Sequence, residues 1–134
     1  MTGNRLKNTL IILIMSVIFS SCEDLSDVEQ ILPGKWKLVE YSYSIGGPQI
    51  HKEVTDGHEI IFSNDNTFSS NANPACEGGT YQINESGSEL VLTYDCDKIQ
   101  TNISNITFTS ANEFVLIPKS PACVEGCSYK YQKQ

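Results

Sequence analysis

Beyond Cys22 the chain carries no stretch of about ten residues with helical periodicity, which excludes a helical framework. It has no Gly-x-Ser-x-Gly elbow, no phosphate-cradling glycine loop and no nucleotide fingerprint. Histidine is scarce. His51 and His58 flank Asp56 at a spacing that matches no zinc or hydrolase pattern, so both read as solvated loop residues. No catalytic, metal-binding or cofactor-binding set emerges, and the expectation is a protein that is not an enzyme. Positive charge is also in short supply: 9 Lys and Arg against 16 Asp and Glu leave a net charge of −7. Such a surface repels phosphate backbones and excludes a nucleic-acid partner. Finally, there is no long hydrophobic run. Residues 10–19 are apolar, but that is half of the about 20 residues a spanning helix needs.

What is present begins with that short run. Arg5 and Lys7 precede it, small Ser20 and Ser21 follow it, and Cys22 comes next. The pattern is that of a removable signal. Ile18-Phe19-Ser20-Ser21-Cys22 resembles the lipobox of bacterial lipoproteins. That resemblance implies cleavage before Cys22 and a thiol carrying diacylglycerol, with acyl chains such as palmitate. Each buried methylene contributes about 0.8 kcal/mol, so two or three chains anchor a domain without a spanning helix. The bland alternative is an ordinary secretory signal that ends near a cysteine. Residues 23–27 are acidic and resemble a surface-export signal of some Gram-negative lineages; a solvated tether is the competing reading. The organisation expected is a signal peptide over 1–21, an acidic tether over 22–32 and one small domain over 33–134. The implied location is the outer membrane of a Gram-negative bacterium, on its periplasmic or cell-surface face, with the membrane as partner through the lipid.

The other cysteines are Cys76, Cys96, Cys123 and Cys127. An even remainder in an exported chain points to disulfides, and the lack of closely spaced pairs around Cys76 and Cys96 argues against zinc. Residues 84–88 (Asn-Glu-Ser-Gly-Ser) make the clearest hairpin turn in the chain. Folding about Ser86 and Gly87 brings Cys76 within about one residue of facing Cys96, near enough for a bridge. Cys123 and Cys127, four apart around Gly126, could close a small ring.

Strand signals recur at 35–43, 58–62, 67–69, 78–83, 89–94, 99–109, 113–117 and 128–131, separated by turn clusters. Residues 49–57 read as a polar connection. A phase change between Ile103 and Ile106 suggests a bulge, and the apolar run 113–117, ended by Pro118, suggests a strand covered on both sides or lining a closed interior. About eight short strands of this kind give an all-β antiparallel up-and-down meander, which hides its edges by closing into a barrel. At this strand number the interior is filled by side chains or holds one small ligand.

Three stretches carry a family resemblance: Gly34-Lys35-Trp36-Lys37-Leu38, Phe62-Ser63-Asn64-Asp65-Asn66-Thr67-Phe68 and Gly79-Thr80-Tyr81-Gln82-Ile83. They are similar to the compact lipocalin-like domains found among bacterial lipoproteins. The resemblance implies that Trp36 plugs the closed end of the barrel and that a small hydrophobic ligand is bound. The chain is shorter than transport lipocalins and has no C-terminal helix signal. Tyr41, Tyr81, Tyr94 and Phe114 are the candidate ligand contacts, each with simple core packing as the alternative. The competing function is a structural or inhibitor-type envelope lipoprotein with a filled barrel.

Overall fold

A computed structural model describes residues 27–98 and 100–134. The leader, Cys22 and the acidic residues after it, to which the lipidation reading applies, lie outside the described residues. The chain forms a short helix, α1 (Asp27–Ile31), and the strands β1 (Gly34–Tyr43), β2 (Ile50–Glu53), β3 (Glu59–Phe62), β4 (Thr67–Ser70) and β5 (Gly78–Ile83). Then follow β6 (Glu89–Tyr94), β7 (Gln100–Ser110), β8 (Glu113–Ser120) and β9 (Ser128–Lys133). Sequential strands pair antiparallel from β3 to β9, and β1 pairs with both β3 and β9. The result is a closed eight-stranded up-and-down barrel, the all-β architecture that the strand spacing predicts.

β2 lies outside that count. It occupies the upper half of one edge of β1, with Tyr43 opposite Ile50 and Glu40 opposite Glu53. β3 occupies the lower half, with Lys37 opposite Glu59 and Gly34 opposite Phe62. The polar connection expected over 49–57 therefore contains a short strand, formed because the edge of β1 above Lys37 would otherwise be unpaired. Between the two, Gly57 passes so close to β1 that a methyl group there would overlap the Leu38 carbonyl oxygen.

The two ends of the barrel are built differently. At one end the hairpins turn tightly through residues 63–66, 84–88 and 111–112. Here Trp36 is fully enclosed, 4.6 Å from Phe114 and 5.9 Å edge-on from Phe108 between ring centroids. Its Nε1 donates to the Leu32 carbonyl at 2.8 Å, which pulls α1 and the fully buried Leu32 beneath the strands. Lys133 crosses the same place: its Nζ lies 5.1 Å from the Trp36 ring and donates to the Ile31 carbonyl at 3.0 Å. Gly34 makes room for it, since at a φ of 136° any Cβ would sit 2.8 Å from Lys133 Cε. The last residues of the stretch expected as tether are thus part of the packed unit. Ile60, Phe62, Phe68, Tyr81, Leu90, Ile106 and Leu116 are among the residues that continue the buried cluster from this floor.

At the opposite end the connections are longer and stapled. Cys76 and Cys96 are joined, with Cα atoms 5.3 Å apart, beside Gly79 opposite Tyr94 in the β5–β6 ladder. Cys123 and Cys127 close the small ring, with Cα atoms 5.6 Å apart. Gln49 and Ser44 hold that ring through hydrogen bonds to the Gly126 and Glu125 carbonyls.

Two expectations are made specific here. The bulge expected between Ile103 and Ile106 is present in the β7–β8 pairing at Ile103 and Ser104, but the extra residue is Lys119 of β8, and β7 keeps Asn102, Ser104, Ile106 and Phe108 on one face. That bulge lets β8 continue through Pro118, a residue a regular central strand excludes. Of the two readings of residues 113–117, the strand lining a closed interior is the one found: Phe114 and Leu116 face the core, while Ile117 is exposed.

The floor contacts set a stability test. Trp36→Ala removes a fully buried aromatic and is expected to cost about 3–5 kcal/mol. Trp36→Phe keeps most of the ring packing but orphans the Leu32 carbonyl, for about 1–3 kcal/mol. Urea unfolding midpoints at unchanged slope measure both; a Trp36→Phe variant as stable as the parent contradicts the hydrogen bond's role.

Candidate functional site

The inward face above the floor is set by register. On β6, Leu92 lies opposite Asn102 and Leu90 opposite Ser104, so these two polar residues of β7 share the inner face with leucines. On β8, Leu116 lies opposite Ile106 and Pro118 opposite Ser104. On β9, Tyr129 faces Leu116 and Tyr131 faces Phe114. With Tyr94 at the top of β6 and the 120–123 loop leaning over, these walls leave a cavity of about 310 Å³ at the stapled end. That is at the lower limit of small-molecule sites.

The walls are amphipathic. Leu92, Leu116, Pro118 and Ala122 are apolar; Tyr94, Tyr129, Tyr131, Asn102 and Ser104 offer hydroxyl and amide groups; among the described residues no charged one lines the space. Burial pushes the Tyr131 hydroxyl well above the usual tyrosine range, with the neighbouring Tyr94 and Tyr129 hydroxyls adding to it. Burial also raises Tyr94, partly offset by the Asn102 side chain. Both phenols are therefore firmly protonated at neutral pH and act as hydrogen-bond donors or acceptors.

His58 forms the back of this polar layer. Its carbonyl accepts from the Leu38 N–H at 3.0 Å, which places it beside β1, and its Nε2 lies 2.8 Å from the Tyr131 hydroxyl. Desolvation holds its pKa below the ordinary 6.5. Expected as a solvated loop residue, His58 is instead partly enclosed, because β2 and β3 draw the connecting loop against β1. His51 is the solvated one, exposed with Nδ1 3.0 Å from Glu40.

Of the candidate ligand contacts, only Tyr94 lines the cavity. Tyr41 is paired with Tyr129 across the β1–β9 ladder, so the two share a face; it stacks on Tyr43 at 6.0 Å, and Lys52 sits over Tyr43. Phe114 is wholly enclosed between Trp36 and Tyr131. Tyr81 is near the floor, donating its hydroxyl to the Ser63 carbonyl at 2.8 Å, and lines a separate hollow of about 290 Å³ against α1. Asn102 and Ser104 were not singled out by residue type, and His58 was read only as a solvated loop residue. For the first two the signal was available: extending the alternation of β6 across to β7 puts both on the inner face.

Another hollow, open and of about 620 Å³, lies against Gly78 and Gly79, where consecutive residues lack side chains. Among the described residues no three His, Cys, Asp or Glu side chains gather in a way that could hold a metal ion. The family model described as a lipocalin-like domain matches residues 32–116, well over half of the chain. No curated protein matches it.

The His58 environment gives a pH signature. Unfolded His58 takes up a proton near pH 6.5 and the folded residue only at lower pH, so the unfolded state binds more protons in that window. Stability is therefore fully present above pH 6.5 and falls as pH drops through the folded value. Asp65, lowered by its Thr67 hydrogen bonds, and Glu40, lowered by its bond to His51, act in the same direction only below about pH 4.5. Melting temperature is expected to fall between pH 7 and pH 5, and His58→Gln, which keeps a partner for Tyr131, to flatten that fall. An unchanged slope in the variant contradicts the assignment.

Proposed function

The chain belongs to the lipocalin-like domain family, and on that footing we propose that it is a lipid-anchored envelope protein whose barrel binds a small, largely apolar molecule without catalysis. The observation that carries the binding half is the cavity of about 310 Å³ at the stapled end, walled by leucines, proline and three tyrosines. A barrel packed solid from end to end would have no use for polar groups on its inner face. The anchoring half rests on the signal-like run that ends at Cys22, and the outer membrane of a Gram-negative cell is the location it favours.

The two halves together orient the molecule. From Cys22 to Asp27 the chain reaches at most about 18 Å. β1 spans 10 residues, and at the usual rise and tilt the barrel wall is about 25 Å tall. Since α1 packs against the floor, a lipid on Cys22 holds the floor toward the bilayer and the cavity toward the aqueous space. Ligand exchange then takes place with that space and not with the anchoring leaflet.

A second reading, a protein-interaction or inhibitor-type lipoprotein, draws on the filled floor and on Ile45 and Val124, which are exposed on adjoining loops of the stapled end.

One experiment addresses both halves. Full-length protein with Cys22→Ser, expressed in its own host, is expected to leave the membrane fraction, and native mass spectrometry of the soluble material to give an extra mass that organic extraction removes. Retention in the membrane contradicts the anchor. A clean unliganded mass, with the parent also unliganded, contradicts the binding role and favours the second reading.

A further inference from the structure

The chemistry of the cavity walls restricts what enters. Any charged group brought inside must give up water, and an unpaired buried charge costs far more than hydrophobic contact of this size returns. The walls supply no partner of either sign: none of the lining residues is Asp, Glu, Lys or Arg. His58, behind Tyr131, is neutral at physiological pH because its burial disfavours the imidazolium. The overall charge of −7 adds a long-range penalty for anions.

The polar lining falls in two parts: the Tyr129 and Tyr131 hydroxyls lie on β9, the latter engaged by His58, and the other group lies across β8 on β6 and β7. Asn102 and Ser104 lie on alternate inward positions of β7, with Tyr94 at the top of the neighbouring strand. Leu92, Leu116 and Pro118 supply the apolar part of the surface. At roughly 30 Å³ per heavy atom, the space holds on the order of ten such atoms.

We propose that the cavity selects an uncharged amphiphile of about ten heavy atoms, its apolar body against Leu92, Leu116 and Pro118 and its hydroxyl or carbonyl group on Tyr94, Asn102 and Ser104. This rests on the ligand-binding reading of the barrel and narrows it, since hydrophobicity alone would admit fatty-acid anions and alkylammonium ions of the same size. The tyrosine hydroxyls, kept protonated by burial, donate to a carbonyl or hydroxyl oxygen, while Ser104 and the Asn102 carbonyl accept from a hydroxyl.

The test uses the full mature chain with Cys22→Ser, its fold checked by circular dichroism, and three probes that differ almost only in charge: 1-octanol, octanoate and octylammonium at pH 7.5. Calorimetric titration is expected to give 1-octanol an affinity at least tenfold higher than either ion. Tyr94→Phe and Asn102→Ala are each expected to weaken 1-octanol about three- to tenfold while leaving the melting temperature close to the parent's. Equal or tighter binding of octanoate or octylammonium overturns the selection of uncharged ligands but leaves the cavity as the binding site. Absence of binding by all three probes overturns the ligand-binding reading itself. Binding of 1-octanol that both variants leave unchanged overturns the assignment of the polar contacts.

Discussion

The hydrogen bond from the Trp36 indole to the Leu32 carbonyl is the constraint on which the rest of the barrel depends. An indole N–H buried in an apolar interior needs a partner, and the carbonyl at the end of a five-residue helix needs a donor. Each satisfies the other only if α1 folds under the strands and Leu32 enters the core. Lys133 completes the arrangement from the far end of the chain, bonding the Ile31 carbonyl and covering the indole face. The first and last strands are thereby fixed to each other at the floor, next to the β1–β9 ladder that closes the ring. Closure and plugging are one structural event, and removing the indole N–H loosens both.

With the floor filled by aromatic rings, the cavity walled by β6 to β9 lies at the other end. There the connections are too long to be held by turn chemistry alone, and the disulfides take over. A bridge between residues 20 apart, such as Cys76–Cys96, restricts the unfolded chain by about 3 kcal/mol. The ring at Cys123–Cys127 is tied in turn to Gln49 and Ser44. A cavity with stapled rims keeps its shape without a bound molecule, which reduces the ordering cost of binding. Its small size follows from the aromatic floor: Trp36, Phe108 and Phe114 take up volume that a larger barrel would leave to a ligand.

Much of this was legible in the sequence where a local signal set a long-range relation. The 84–88 turn fixed the β5–β6 register, and the register brought Cys76 to Cys96. The Gly34-x-Trp36 pattern pointed to a floor residue, and the strand spacing to closure. What could not be read was depth along the barrel axis. Tyr81, Tyr94 and Phe114 all alternate inward, but the order and tilt of eight strands decide that Tyr94 reaches the mouth while Tyr81 and Phe114 sit lower. Tyr41 illustrates a second limit. A shift in the β1–β9 pairing between Leu38 and Glu40 turns Tyr41 onto the face of Tyr129, yet it stacks on Tyr43 outside the cavity lining, and nothing in the composition of residues 35–43 marks that placement. His58 was read as solvated for a third reason: its partner, Tyr131, is 73 residues away, and only the closed ring brings them together.

The central claim is that the barrel is divided into a dry, plugged floor and a ligand-accepting mouth. The single tryptophan makes this directly measurable, because the Trp36 indole N–H gives one isolated signal in a proton–nitrogen NMR spectrum. Titration with a small apolar probe is predicted to shift the backbone amides of Tyr94, Asn102 and Tyr129 while the indole signal stays in place and slow to exchange with solvent. An indole signal that moves together with those amides, or exchanges as fast as a surface group, would mean that the floor is not closed and the division does not exist.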